Sequence, residues 1–551
     1  MQRLASTLST LTGWRRLGVA FAAGALSVLS FAPFHAWPVM FITLTVLVWL
    51  LDGCYASPNR GWRVARFELV AAVKTGWAFG FGFFFAGLYW IGFAFLVEAD
   101  AFAWLLPLAV VVLPAGMALF FALAAALAGL LWRPGLARIL GLAIALGLTE
   151  WLRGQILTGF PWNALGYALT GGDAMMQWAS LFGIYALSIL AVLIFCAPAA
   201  VWAVEGMRTR TALERFGFPL FIALILAGGT LWGYWRLQNH PIEFVDGVRL
   251  RLVQPNIPQK QKWKPGNRAA IFQRFMQLSR NGAADGKIEG VTHLIWPESA
   301  LPFLLEETPE ALDAIDAMMP DTTVFITGAA RGEREKAETG NSAGTTAKSS
   351  KSLRIFNSLF VMNGQARMLS YYDKTHLVPF GEYLPFQRIL EATGFEQLTR
   401  LKGGFAAGDG PRLTVAPNIP PFIALICYEI IFPNAIREAG TAPEWMLNLT
   451  NDAWFGDSIG PYQHFHQAKI RAVEQGLPLV RVANTGITAV TGPRGRLIAT
   501  IPRNSARILD TRLPRAAGKT VFVIWGWGIL PLFFLIIFAG WLIMKHNIYA
   551  D

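Results

Sequence analysis

Cysteine is scarce in this 551-residue chain: Cys54, Cys196 and Cys427 are all there are. That scarcity excludes a disulfide-built fold and leaves each thiol as packing or as chemistry. Histidine is equally sparse, seven residues scattered along the chain, and no close His, Cys and Asp spacing matches a ligand set; no metal and no cofactor are expected. Charge is thin at 15% and unbalanced in sign, 47 Lys and Arg against 35 Asp and Glu. The basic residues are spread over short loops and one polar stretch, with no arginine-rich helix or nucleic-acid module. No nucleic-acid partner is expected; anionic lipid headgroups and helix orientation account for the excess of +12. Low charge beside 54% hydrophobic and 13% aromatic content points to membrane immersion.

What is present in abundance is long apolar runs. Eight candidate spans lie near 17–34, 37–51, 71–97, 102–132, 136–152, 178–204, 216–237 and 521–544. Arg3, Arg15, Arg16, Arg60, Arg63, Arg66, Arg133, Arg138, Arg208, Arg210, Arg215 and Lys545 fall in alternate loops and termini, whereas the third loop carries Glu98 and Asp100. The positive-inside rule then sets both termini in the cytoplasm. Seven spans precede the polar stretch, which places that stretch, Gly340 included, on the far side. Lys74, Glu150 and Arg153 near span ends read either as snorkelling side chains or, for the Glu150–Arg153 pair before Phe160-Pro161-Trp162-Asn163, as part of a headgroup pocket.

The chain divides into a helical bundle over 1–240, a soluble domain over 248–509 and a final helix with its tail over 515–551. Apolar strands are expected at 248–254, 292–296, 323–328, 358–362, 368–372, 422–426, 445–449, 479–483 and 488–491, with helices near 268–280 and 463–475. Strands with intervening helices in one unit give a layered α/β architecture. The Gly-, Ser-, Thr- and Lys-rich stretch 333–351 reads as a surface insertion.

Three residues close predicted strands: Glu298 in Ile295-Trp296-Pro297-Glu298, Lys374 in Tyr372-Asp373-Lys374-Thr375-His376-Leu377, and Cys427 in Ile426-Cys427-Tyr428-Glu429. Singly, each has an ordinary structural reading: core packing for the cysteine, a cap for the glutamate, solvation for the lysine. Together they supply what acyl transfer through a thioester needs. Cys427 is the nucleophile and Glu298 the general base; the Lys374 ammonium, with the backbone N–H of Tyr428, stabilises thiolate and oxyanion.

Glutamate, lysine and cysteine in this order resemble the catalytic set of the nitrilase-like carbon–nitrogen hydrolases. Leu377-Val378-Pro379-Phe380-Gly381-Glu382-Tyr383-Leu384-Pro385, Asn448-Leu449-Thr450-Asn451-Asp452-Ala453-Trp454-Phe455, His464 and Arg471-Ala472-Val473-Glu474, set between a helical bundle and a last span, narrow this. The whole chain resembles the apolipoprotein N-acyltransferases of Gram-negative bacteria. The resemblance implies a polytopic α-helical membrane bundle carrying an α-β-β-α nitrilase-like sandwich, in the inner membrane with the catalytic domain in the periplasm. It implies a phospholipid acyl donor, usually phosphatidylethanolamine, and apolipoprotein acceptors acylated on the α-amino group of an S-diacylglyceryl-cysteine. It also implies supporting roles for Glu382, which would orient the lysine, and for Glu429, both of which read equally as structural ion pairs, and a place near the site for Trp263. A membrane-anchored amidase or nitrilase with water as acceptor would use the same three residues. The stretch 379–405, with Phe380, Tyr383, Leu384, Phe386, Ile389, Leu390, Phe395 and Leu398, reads as a core-covering loop or as an arm over the bilayer that shields acyl chains.

Overall fold

The computed structural model describes the chain except residues 56–64, 210, 282–287, 335–352, 393, 395, 400, 437–441 and 550–551. Arg60, Arg63, Arg210, Gly340, Phe395 and most of the insertion expected at 333–351 lie outside the described residues.

Four helical segments are long and apolar enough to cross a membrane: Arg66–Leu96, Ala99–Leu131, Ala179–Val201 and Leu213–Gln238. The other predicted runs are helical but shorter, at Gly13–Ser27, Val39–Cys54, Ala137–Arg153 and Ile529–Met544. Among the described residues, four of the eight expected spans are thus helices of spanning length and the other four are shorter helices. The first run fails for a local reason: its helix gives way to a single 3-10 turn at Val28–Ser30 before Pro33. Small residues allow close helix contact. A Cβ on Gly24 would lie 1.9 Å from the Phe79 carbonyl oxygen, and one on Gly53 1.9 Å from that of Ser9. Arg138 and Asp52, both fully buried, pair at 3.2 Å inside the bundle.

The soluble region folds as two six-stranded sheets. The first, in the order β12-β1-β2-β3-β4-β5, comprises β1 (Phe244–Gln254), β2 (His293–Ile295), β3 (Val324–Arg334), β4 (Leu353–Met362), β5 (Met368–Asp373) and β12 (Arg507–Pro514). The second, in the order β11-β10-β9-β8-β7-β6, comprises β6 (Leu413–Thr414), β7 (Phe422–Ile426), β8 (Trp445–Thr450), β9 (Leu479–Ala483), β10 (Thr488–Thr491) and β11 (Leu497–Ile501). In each sheet the central pairs are parallel (β1–β2, β2–β3; β7–β8, β8–β9) and the outer ones antiparallel. Alternation sorts the side chains. Phe422, Ala424 and Ile426 meet Leu250, Ile295 and Ile326 between the sheets, while Ile423 and Leu425 point the other way.

The outer layers differ. Behind the first sheet lie the helices Arg268–Ser279 and Pro309–Met318, through Phe275, Met276 and Ile315 against Trp296 and Phe325. Behind the second lies the helix Gly460–Gln475, whose Ala468, Ile470, Ala472 and Val473 continue into the core of the membrane bundle. It is pinned there by buried polar groups: Glu474 accepts from the backbone N–H of Ile184 at 2.8 Å and pairs with Arg471 at 3.1 Å, and Arg471 donates to the Tyr167 hydroxyl.

Candidate active site

Strand ends from both sheets converge on one buried site. Cys427 follows β7 and opens the 3-10 turn Cys427–Ile431 with φ at 52°, the left-handed region that a Cβ-bearing residue rarely takes. Strain of this kind is found where surrounding structure over-determines the backbone, and here that structure is explicit. The Cys427 carbonyl accepts from His464 Nε2 at 3.1 Å and Asn448 Nδ2 at 3.4 Å. His464 Nδ1 lies 2.9 Å from Asp452 Oδ1, while burial, reinforced by Arg481, lowers the pKa of the ring. Its Nδ1 lies 3.0 Å from Arg481 Nη2, which also reaches Asp452 Oδ2 at 2.8 Å. Thr450 Oγ1 lies 3.4 Å from Cys427 Sγ and 2.9 Å from Asp452 Oδ1. Sequence reasoning quoted the words that hold Asp452 and His464 but assigned them no role, and it passed over Arg481.

From the first sheet come the carboxylate and the ammonium. Glu298 follows β2 and is 6% exposed; its Oε1 accepts from Asn357 Nδ2 at 2.8 Å. A Cβ on Gly328 of β3 would stand 2.7 Å from Glu298 Cα, so only glycine permits this approach. Lys374 follows β5; its Nζ is held by Glu382 Oε1 and Oε2 at 3.0 and 2.9 Å and faces Glu298 Oε1 at 3.8 Å. Burial pulls the pKa of this lysine down, but Glu382, Glu298 and Cys427 together outweigh it and hold the ammonium charged. The Cys427 thiol is pushed the opposite way from a free thiolate: burial raises its pKa, Glu298 adds to this, and Lys374 opposes both. Cys427 therefore rests as the thiol.

Of the expected residues, Glu298, Lys374, Glu382 and Cys427 lie together. Glu382 holds the Lys374 Nζ with both oxygens, and Asn357 of β4, which sequence reasoning missed, donates one amide group to both Glu298 and Glu382. No local pattern marks Asn357; only strand pairing brings it there. Among the described hydrogen bonds of Glu429, none goes to the Cys427 sulfur. Its Oε1 accepts from Thr375 N at 2.8 Å, His376 N at 3.1 Å and the Tyr372 hydroxyl at 3.0 Å, while Oε2 accepts from Ile426 N at 2.7 Å. It ties the cysteine turn to the lysine loop. The Tyr428 N–H sits in the first turn after the nucleophile, where 3-10 N–H groups lack partners within the turn; its hydroxyl donates to Gly159 O at 3.1 Å. Trp263 is 45% exposed at the end of the turn Gln259–Lys262, whereas its neighbour Lys262 is buried.

The Glu150–Arg153 pair does not face open space. Arg153 donates to the carbonyls of Phe160 and Trp162, and Glu150 Oε2 accepts from Leu165 N at 2.9 Å, so the pair folds the loop 154–165. That loop meets the soluble domain. Trp162 Nε1 and Trp90 Nε1 donate to Gln463 Oε1 at 2.8 and 3.2 Å, one residue from His464. The stretch 379–405 is divided: Leu384 and Gln397 are buried, while Phe380, Phe386 and Ile389 are 55, 80 and 66% exposed, against a purely core-covering loop.

Among the described residues no group of three or more His, Cys, Asp or Glu could hold a metal ion. Residues 23–197 match the apolipoprotein N-acyltransferase N-terminal domain and 249–520 the carbon–nitrogen hydrolase domain. An apolipoprotein N-acyltransferase of Rhodopseudomonas palustris is 47% identical over 95% of this chain and 94% of its own. Those of Bradyrhizobium diazoefficiens and Brucella suis are 43% and 42% identical, covering 95% and 93% of this chain and 94% and 92% of theirs. With a carbon–nitrogen hydrolase domain of two sheets and relatives at this identity along nearly all of its length, the chain belongs to the apolipoprotein N-acyltransferase family and is an acyltransferase of lipoprotein maturation.

Proposed function

We propose that Cys427 takes an acyl chain from a phospholipid, with phosphatidylethanolamine the expected donor, and passes it to the α-amino group of the S-diacylglyceryl-cysteine of an apolipoprotein. The observation that carries this reading is the meeting of Glu298, Lys374 and Cys427 in one buried site. In the first half-reaction the Glu298 carboxylate takes the thiol proton, and the sulfur attacks the ester carbonyl. Lys374 and the Tyr428 N–H face the charge that develops on oxygen. The glyceryl oxygen leaves with the proton from Glu298 as a lysophospholipid alcohol, and the thioester remains. In the second, the acceptor amine attacks the thioester, gives its proton to Glu298, and the thiolate departs to be reprotonated. Thioester and amine meet in an apolar site that limits loss to water.

The eight apolar helices are read as eight spans, with both termini cytoplasmic and the two-sheet domain on the periplasmic face of the inner membrane. The loop basic residues support this orientation. The exposed Phe380, Phe386 and Ile389 support an arm laid on the bilayer, where lipid chains reach the site. Incubation with phospholipid alone should add one acyl group, by intact mass, and release lysophospholipid. A diacylglyceryl-cysteine peptide should then discharge the thioester as amide; release only as free fatty acid would instead establish the hydrolase. Labelling of a cysteine placed at Gly340 from the cytoplasmic side would overturn the orientation.

A further inference from the structure

Two buried lysines approach this site, and they are bonded differently. Lys374 is cradled by both oxygens of Glu382 and faces Glu298. Lys262, 1% exposed, has one hydrogen-bond partner among the described residues, the backbone carbonyl of Glu298 at 3.3 Å. A buried ammonium ordinarily meets a carboxylate; this one holds a neutral oxygen near the limit of bonding distance and keeps two N–H groups unspent. Its turn, which follows β1 of the first sheet, is fixed to the second. Gln259 Oε1 accepts from Asn451 Nδ2 at 2.7 Å after β8, and Ile257 exchanges bonds of 2.9 and 2.8 Å with the Asn484 amide after β9. The cost of such placement is visible: burial lowers the Lys262 pKa to about 8, opposed by the charges of Glu298 and Cys427.

The charges around the sulfur explain the arrangement. Cys427 is faced by Glu298, Lys374 and Asp452, with the Thr450 hydroxyl at hydrogen-bond distance. Lys374 is already balanced by Glu382, and Asp452 by Arg481. When Glu298 takes the thiol proton, its own charge vanishes and a thiolate appears. Lys262 then loses one anionic neighbour and gains the other.

Resting on Cys427 being the nucleophile, we propose that Lys262 is the second cation of the acyl-transfer site, balancing the Cys427 thiolate while Glu298 holds the proton. It acts through the sulfur's charge and is a positioning residue rather than a proton carrier. The test is the pH profile of iodoacetamide alkylation in the full-length protein, followed on the Cys427 peptide by mass so that Cys54 and Cys196 do not contribute. Lys262→Met should move the profile up by about one pH unit or more and slow acylation by phospholipid about tenfold or more. Lys262→Arg should keep the profile near the parental one. The neutral Lys262→Gln gives the same comparison if the methionine variant does not fold. A folded Lys262→Met or Lys262→Gln protein with the parental alkylation profile would overturn the proposal. Because alkylation uses neither acyl donor nor acceptor, failure of parental protein to form the acyl adduct would count against the proposed reaction and not against this role.

Discussion

The two halves of the site are supported in different ways. Glu298, Lys374, Glu382 and Asn357 belong to the first sheet, whose outer face is covered by the soluble domain's own helices. Their geometry comes from direct bonds among the reacting groups themselves. Cys427 belongs to the second sheet and is held from behind. His464 and Asn448 fix its carbonyl, Arg481 and Asp452 fix His464, and the helix carrying His464 is seated on the membrane bundle. The Glu298–Lys374 half is thus held within the sandwich, and the helix behind Cys427 is packed on the helical bundle. A relative of this fold without the bundle would need some other backing for the helix that carries His464.

The comparison can be broken at several points. Cys427→Ala should abolish the acyl adduct altogether, read by intact mass. Glu298→Gln keeps the bond from Asn357 but removes the base, a loss of about 10² to 10⁴ in acylation rate. Lys374→Ala should cost about 10² or more. Lys374→Arg should recover little, because a planar fork does not fit the Glu382 cradle. Equal acylation by Glu298→Gln and parental protein would remove the general base from the first half of the site.

The second half predicts a different signature, in stability as well as rate. The Asp452 carboxyl is penalised by burial, but Arg481 and His464 more than offset this and hold its pKa well below the usual carboxylate range. A depressed folded pKa means stability that is present above the ordinary pKa of about 4 and lost as pH falls below it. Asp452→Asn should therefore unfold about 3 kcal/mol more easily at pH 7, with the gap to parental protein narrowing in acid; a gap constant with pH would contradict the ion pair. His464→Ala should slow acylation about tenfold, by releasing the nucleophile's backbone, while the triad ionises as before. Gln463→Ala, which strips Trp90 and Trp162 of their shared acceptor, should have the smallest effect, on the order of 1 to 2 kcal/mol in stability with little change in rate.

The nine strands expected from apolar runs are all present; six of them, β1, β2, β3, β7, β8 and β9, lie in parallel pairs, and buried parallel strands read as continuous Val, Ile and Leu. The three missed, β6, β11 and β12, are a two-residue strand or carry exposed and half-exposed residues that mute the signal. The helix Pro309–Met318 was also missed, being short and only partly buried. Glu298, Lys374 and Cys427 were legible because each closes a strand within a distinctive word. Asn357 and Lys262 were not, since neither residue type stands out locally and both act through pairings set by tertiary structure. Arg471 and Glu474 were legible as a word but not as the buried fastening between domain and bundle.

Glu382 lies two residues after Phe380 and four before Phe386, in the same loop whose exposed aromatic side chains are read as resting on lipid. Its carboxylate is shared between the Val378 N–H, at 2.8 Å, and the Lys374 ammonium. The loop is therefore mechanically coupled to the lysine's counter-ion. A shift of the loop by about 1 Å would stretch this charge-assisted bond past its optimum, so the place of the loop and the place of the ammonium are set by one carboxylate.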